Sequence, residues 1–367
     1  MKIAKILLLG IGLFLVGCNA ASKSIPPTNP VRNYNGTASV GDFLTISIDA
    51  SAQTIAYHNY TNGESGTVPY TVNADGTYTI TDPDGNLLAA YEVPGSVLMV
   101  EAANAGPNRD TTALITAIES APASISTFAG RNFNYIQFRT STGGVELGTV
   151  SVGAQGDIQH AGYWPFGVID QQDTFNSGTF PASSIEEDAS GNFFTIHESN
   201  GDSDHVFGTQ NGFWAVDTGA GTLLGLPKAD SKDFSASSAG TYTAIYYQKS
   251  GAQMGANNFE SGTPGEGTAI VVVGADKSVT ITDSQNQVMA SGTLAPIADT
   301  TSIYDGTANT LPDPLYGMFT FRSVGAGAQQ DVFVSFQNGA VIFSSFQTVL
   351  PLQPNGVYTY FYGVGLK

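Results

Sequence analysis

Apolar and polar residues alternate along much of this chain. Leu44, Ile46 and Ile48 fall on one side of an extended backbone, and Thr45, Ser47 and Asp49 on the other. Tyr78 and Ile80 alternate with Thr77, Thr79 and Thr81, Val279 and Ile281 with Thr280 and Thr282, and Val332, Val334 and Phe336 repeat the pattern. A period of two marks half-buried strands, because successive side chains leave a strand on opposite faces. Between the runs stand Asp75-Gly76, Asp84-Gly85, Gly143-Gly144 and Asn338-Gly339, pairs that suit tight hairpin turns. The one helical spacing lies in Thr111 to Ser120, where Leu114, Ala117 and Ile118 would share a face, and it predicts a short helix.

The chain also resembles itself. Tyr78-Thr79-Ile80-Thr81-Asp82 matches Val279-Thr280-Ile281-Thr282-Asp283, and Phe194-Thr195-Ile196 matches Phe319-Thr320-Phe321. Gln210-Asn211-Gly212 matches Gln337-Asn338-Gly339 at a similar distance downstream. Gly66-Thr67, Gly148-Thr149 and Gly267-Thr268 each open a strand, while Gly130-Arg131, Gly240-Thr241 and Gly356-Val357 each open an aromatic one. We read three diverged antiparallel β-modules, small barrels or sandwiches, at 34–127, 128–233 and 234–367. Pro122 to Thr127 and Ser231 to Ser238 are the expected joints. The expected fold class is all-β.

Composition agrees with that class and removes some functions. The 31 Asp and Glu against 13 Lys and Arg give a formal charge of −18, which argues against nucleic acid and anionic lipid headgroups as partners. Hydrophobic residues make up 41% of the chain, too many for a disordered tail. A single cysteine forbids a disulfide within the chain, so stability rests on burial and β-ladders.

That cysteine sits at the end of a distinctive start. Lys2 and Lys5 precede an apolar run from Ile6 to Val16, which ends in Leu15-Val16-Gly17-Cys18. The run falls short of the roughly 20 residues needed to span a bilayer, and it reads as a secretory signal. The ending resembles the lipobox of bacterial lipoproteins. That resemblance implies a signal peptide over 1–17, cleavage before Cys18, a diacylglycerol on its sulfur and usually a third acyl chain on its amine. Two or more chains anchor stably to a membrane. Residue 19 is Asn rather than Asp, which by the same resemblance directs a Gram-negative lipoprotein to the outer membrane. Residues 18–33, with Pro26, Pro27 and Pro30, read as a tether. A single outer-membrane barrel is a poor fit, since its strands run about 9–11 residues with an unbroken apolar band.

Candidate chemistry is sparse. His197, Asp202, Asp204 and His205 could ligate a divalent cation, but they lack the H-E-x-x-H spacing and read better as an acidic hairpin. Asp82-Pro83-Asp84-Gly85-Asn86 lacks the EF-hand glutamate, Val93 standing at position 12, and reads as a turn. His160-Ala161-Gly162-Tyr163-Trp164-Pro165-Phe166 reads as an aromatic loop. His160, Tyr163, Trp164 and Phe166 are the candidate ligand contacts, the alternative being a loop folded over its own module. No G-x-S-x-G elbow or phosphate-binding glycine loop occurs, and no cofactor is expected. These features predict an envelope lipoprotein presenting non-catalytic binding, adhesive or scaffold modules to an extracellular polymer or envelope protein. The rivals are a polysaccharide hydrolase using paired carboxylates and an accessory subunit of a secretion or surface-layer assembly. A pocket lined by facing carboxylates and aromatics would favour the enzyme.

Overall fold

The structure is a computed structural model. It describes residues 30–367 except 75, 95–96, 106–110, 121–123, 139–144, 167–175, 179–183, 189–192, 198–200, 202, 209–211, 220, 253–262, 298–314, 326–327, 338 and 348–357. The signal peptide, Cys18 and most of the tether therefore lie outside the described residues, as do Asp202, Gln210, Asn211 and Asn338. Among the described residues, no helix is long and apolar enough to cross a membrane.

The fold is all-β, with three separate antiparallel sheets. The first is a closed barrel of β1 (Val31–Ala38), β2 (Phe43–Asp49), β3 (Thr54–Asn59), β4 (Ser65–Val72), β5 (Tyr78–Thr81), β6 (Leu87–Val93), β7 (Val97–Ala105) and β8 (Thr111–Glu119). Each strand pairs with the next, and β8 returns to pair with β1. The alternation read from the sequence sets the faces: Leu44, Ile46, Ile48 and Ile80 point into the barrel core.

The expected helix at Thr111 to Ser120 is strand β8. Its odd residues Ala113, Ile115 and Ala117 fill the barrel, while Leu114 and Ile118 join a second core outside it. A strand buried on both faces loses its alternation, and Leu114, Ala117 and Ile118 then imitate a helical stripe.

The second sheet is a nine-strand meander: β9 (Asn132–Phe138), β10 (Val145–Val152), β11 (Ile158–Phe166), β12 (Asn176–Gly178), β13 (Ser184–Glu187), β14 (Phe194–His197), β15 (Ser203–Gly208), β16 (Trp214–Asp217) and β17 (Thr222–Pro227). The third has the same plan: β18 (Gly240–Ala252), β19 (Thr263–Val273), β20 (Ser278–Asp283), β21 (Val288–Thr293), β22 (Ala295–Pro296), β23 (Met318–Gly325), β24 (Ala328–Gln337), β25 (Ala340–Gln347) and β26 (Tyr358–Leu366). In both, the first strand pairs with the last, and among the described residues the ladder is open between the fourth and fifth strands.

This shared plan separates the sequence matches into two kinds. Phe194-Thr195-Ile196 and Phe319-Thr320-Phe321 fall on β14 and β23, the sixth strand of each meander. Gly212 and Gly339 close the turn after the seventh strand in each, both with positive φ (83° and 80°). The match between Tyr78–Asp82 and Val279–Asp283 falls on β5 and β20, the fifth strand of one sheet and the third of the other. What those segments share is turn chemistry. The Asp82 side chain accepts the Asn86 amide, and the Asp283 side chain accepts the Gln287 amide, each at 2.7 Å.

The three Gly-Thr pairs share a different device. Gly66, Gly148 and Gly267 lie directly across the ladder from Tyr57, Tyr135 and Tyr246. A Cβ on Gly148 would meet the Tyr135 ring at 2.3 Å, so the glycine makes room for a ring laid across the neighbouring strand.

The three sheets do not hang apart. Phe43, Val97, Met99, Leu114 and Ile118 on the outside of the first barrel pack with Ile136, Phe138 and Leu224 of the second sheet and with Ile245, Tyr362 and Val364 of the third. Phe138 stacks on Tyr362 at 4.5 Å with planes 3° apart. Each sheet thus has an interior core and lends part of its outer face to one shared apolar wall.

Candidate functional site

The barrel of β1 to β8 has two unlike ends. At one end the interior is plugged. Arg32 and Glu92, with side chains 5% and 0% exposed, form a bidentate pair with Nε–Oε1 at 2.5 Å and Nη2–Oε2 at 2.6 Å. The hydroxyls of Tyr34 and Tyr78 donate to the same carboxylate, Tyr78 at 2.6 Å. The bond to Glu92 holds the Arg32 guanidinium firmly charged despite burial, and burial with the Glu92 bond pushes the Tyr78 phenol up. All four side chains share one parity along their strands, so the plug follows from alternation alone.

At the other end the interior is open. A cup of about 500 Å³ is walled by Leu44, Ile46, Ile55, Val68, Ile80, Leu88, Val100 and Ile115. Eight strands leave an interior that side chains can fill or that can hold one small ligand, and here each half takes one option. The rim carries Asp42, Glu64, Asp82 and Asp84. Asp42 accepts from the Asn59 amide at 2.9 Å. Burial raises the Asp82 carboxyl, but its bonds from Asn86 win and hold it below the usual range. Glu101, 5% exposed, also lines the cup and accepts the Ala89 amide at 2.6 Å, just past the last β6–β7 pair at Ala90 and Val100.

A second pocket, about 490 Å³, lies where the first barrel meets the second sheet. His205 stacks flat on Phe43, centroids 4.4 Å apart and planes 7° apart, with Phe193 edge-on. Its Nδ1 lies 3.9 Å from Asp217 Oδ2. Burial pushes Asp217 up to about 6, against a lowering bond from the Gly219 amide, and Asp42 adds to the rise. Burial lowers His205, against the charge of Asp188. Asp188 and Tyr60 also line it, with Asn35, Thr45 and Thr61.

The described residues considered for metal lie on the two faces of one hairpin. His205 pairs with Thr195 and His197 with Ser203, placing the imidazoles diagonally on one face. Asp204 pairs with Ile196 on the other face. His197 Nδ1 lies 3.1 Å from Ser203 Oγ, and its Nε2 is 3.7 Å from Glu186. Among the described residues no group of three His, Cys, Asp or Glu could hold a metal ion. Asp82 to Asn86 forms the expected turn, with Gly85 N–H donating to Asp82 O at 3.0 Å.

The stretch from His160 to Phe166 is not a loop. It is most of strand β11, paired along its length with β10: Tyr163 opposite Gly148, Trp164 opposite Leu147 and Pro165 opposite Glu146. Gly162 and Pro165 suggested a loop, but β12 pairs only with Ala161 to Tyr163. Among the described residues β11 has no partner on that side beyond Tyr163, and such a position tolerates a proline.

No protein-family model and no curated protein matches the chain. Among solved structures, intact Ap-TbpB (N and C lobes) aligns over 92% of this chain and 77% of its own, at 9% identity and a TM-score of 0.26. A mutant of the vaccine antigen Transferrin Binding Protein B from Haemophilus parasuis Hp5 aligns over 93% and 76%, at 8% identity and a TM-score of 0.24. The isotype 1 protein of serogroup B Neisseria meningitidis aligns over 92% and 76%, at 11% identity and a TM-score of 0.22. At TM-scores this low, these likenesses carry no argument about function.

Proposed function

We propose that this chain is a non-catalytic binding protein of the bacterial envelope, anchored through a lipid on Cys18, and that the first barrel takes up a small molecule with an apolar body. The observation that supports this reading is the cup: a closed barrel with apolar walls, sealed at one end by a neutralised ion pair and open over about 500 Å³ at the other. Small-molecule sites are concave, mostly apolar and often found in the mouths of barrels. An uncharged solvatochromic dye such as Nile red should bind the full chain with a blue-shifted emission. Ala102→Trp, which narrows the cup, should abolish that signal while leaving the far-UV circular dichroism unchanged. A wild-type protein that leaves the dye in water, or a variant that binds it equally well, overturns the reading.

The pocket at the joint favours a second reading, polysaccharide hydrolysis. It brings Asp217, with its raised carboxyl, and Asp188 together with Phe43, Tyr60 and Phe193, as a carboxylate-pair enzyme requires. Against it, Asp217 is 6% exposed and its Oδ1 is taken by the Gly219 amide at 3.0 Å. Release of reducing ends from an envelope polysaccharide, lost in Asp217→Asn, would decide for the enzyme. His160, Tyr163, Trp164 and Phe166 stay proposed as a contact with a polymer or protein partner, now on strand β11 of the second sheet.

A further inference from the structure

The charge around the cup narrows what it can hold. Between Val31 and Glu119 the sequence has ten carboxylates and two basic side chains, Arg32 and Arg109. Arg32 is buried at the plugged end and bound to Glu92. Arg109 lies in 106–110, outside the described residues, and that segment brings Asp110 with it. The described lining of the cup therefore carries carboxylates and no cationic side chain. Asp42, Glu64, Asp82 and Asp84 stand at the rim and Glu101 within the wall, all above an apolar floor.

The Tyr57 ring is also at this rim. It lies across Gly66, where an added Cβ would meet it at 2.8 Å, and it lines the cup. A π-face attracts a cation within about 6 Å, most strongly when the cation is weakly hydrated. An anion entering here would face several carboxylates across a low-dielectric wall, so its charge would cost binding, while a cationic head would gain.

We propose that the cup binds a cationic amphiphile: an organic ammonium head at the Asp42–Glu64–Asp84 rim and the Tyr57 ring, with an alkyl or aryl body on the Leu44, Ile46 and Val100 floor. This rests on the binding reading above and deepens it. Below Glu101 the floor offers the body apolar contact, and the rim offers the head charge and a π-face. The ligand is therefore chosen by the sign of its head and by the length of its body.

The test uses the full chain and three probes of equal chain length, below their micelle concentrations: decyltrimethylammonium, decyl sulfate and the uncharged decyl maltoside, titrated calorimetrically at low salt. Decyltrimethylammonium should bind about tenfold or more tighter than decyl maltoside, and decyl sulfate weakest, as expected for several partly exposed charges near the head. The preference should shrink at 0.5 M salt. Glu64→Gln with Asp84→Asn should narrow the gap between the ammonium and maltoside probes several-fold, Asp42, Asp82 and Glu101 remaining. Equal binding of all three probes by the wild type overturns the charge inference while the binding reading stands. Binding of none overturns both. An ammonium preference undiminished in the double variant, or one that survives in Ala102→Trp, places the cation elsewhere and also refutes the proposal.

Discussion

Removing parts of the Arg32–Glu92 plug should give losses that depend on which polar groups are stranded, and the order can be worked from the geometry. Glu92→Leu leaves a guanidinium 5% exposed without its carboxylate, and takes from the Tyr34 and Tyr78 hydroxyls the carboxylate to which both donate. Breaking a buried pair by removing one partner costs about 3–5 kcal/mol, and each stranded hydroxyl costs about 1–3 kcal/mol. The total, about 5–11 kcal/mol, rivals the whole stability of a typical domain. Arg32→Met leaves the carboxylate with both tyrosine donors, so the loss should stay near about 3–5 kcal/mol. The quadruple variant Arg32→Met, Glu92→Leu, Tyr34→Phe and Tyr78→Phe removes the ion pair together with both tyrosine donors and keeps similar volumes. It should fall within about 2 kcal/mol of wild type, since replacing a whole buried polar cluster by apolar groups is often near neutral. Urea unfolding of the full chain, followed by far-UV circular dichroism, gives the three midpoints. A quadruple variant as unstable as Glu92→Leu would show that shape, not stranded polarity, sets the cost, and the reasoning would fail.

The pH dependence should turn on Asp217, whose folded pKa of about 6 lies above the ordinary carboxylate value. Its contribution is full below about pH 4 and lost as pH rises through about 6. Asp217→Asn should therefore be more stable than wild type by about 3 kcal/mol at pH 7.5, with the gap closing by pH 4. His205, shifted down, has the opposite sign: its contribution is present above its ordinary value and lost on acidification. Melting curves at both pH values, compared with His205→Gln, separate the two. Gly225→Ala would set a Cβ 1.3 Å from Trp214 Nε1, so the indole must move. A loss of about 3 kcal/mol and shifted tryptophan emission are expected, and an unchanged melting temperature would contradict the packing. Tyr163→Ala with Trp164→Ala should weaken binding to a native polymer or protein partner by over about tenfold. A steep fall in melting temperature would instead make those residues structural.

Much of the fold is legible in the sequence wherever a strand has one buried face. Leu44, Ile46 and Ile48 point where their alternation puts them. Legibility fails where both faces are buried, because the second core is a fact of tertiary packing: β8 reads as a helix for this reason alone. It fails again at β11, where Pro165 lies in a strand, past the last described pair with β12 at Tyr163. One repeat signal is plain only once the strands are aligned. Val152-Gly153-Ala154 and Val273-Gly274-Ala275 open the same turn after the second strand of each meander, with Gly156 and Lys277 in positive φ. The cup itself has no sequence mark. Alternation tells which side chains enter a barrel, and it does not tell whether they fill it.

The way β1 is held has a mechanical consequence. It lies antiparallel between β2 and β8, paired from Val31 to Thr37 on one side and from Tyr34 to Ala38 on the other. A pull entering at Pro30 runs along the strand, so both ladders are loaded in shear and must give way together rather than one bond at a time. Arg32, near the loaded end, is clamped across the barrel to Glu92, which fastens that end to β6 as well. If the tether carries drag on the body, the force meets the molecule where it is cross-linked in three directions. The open cup, at the other end of the barrel, is left out of the load path.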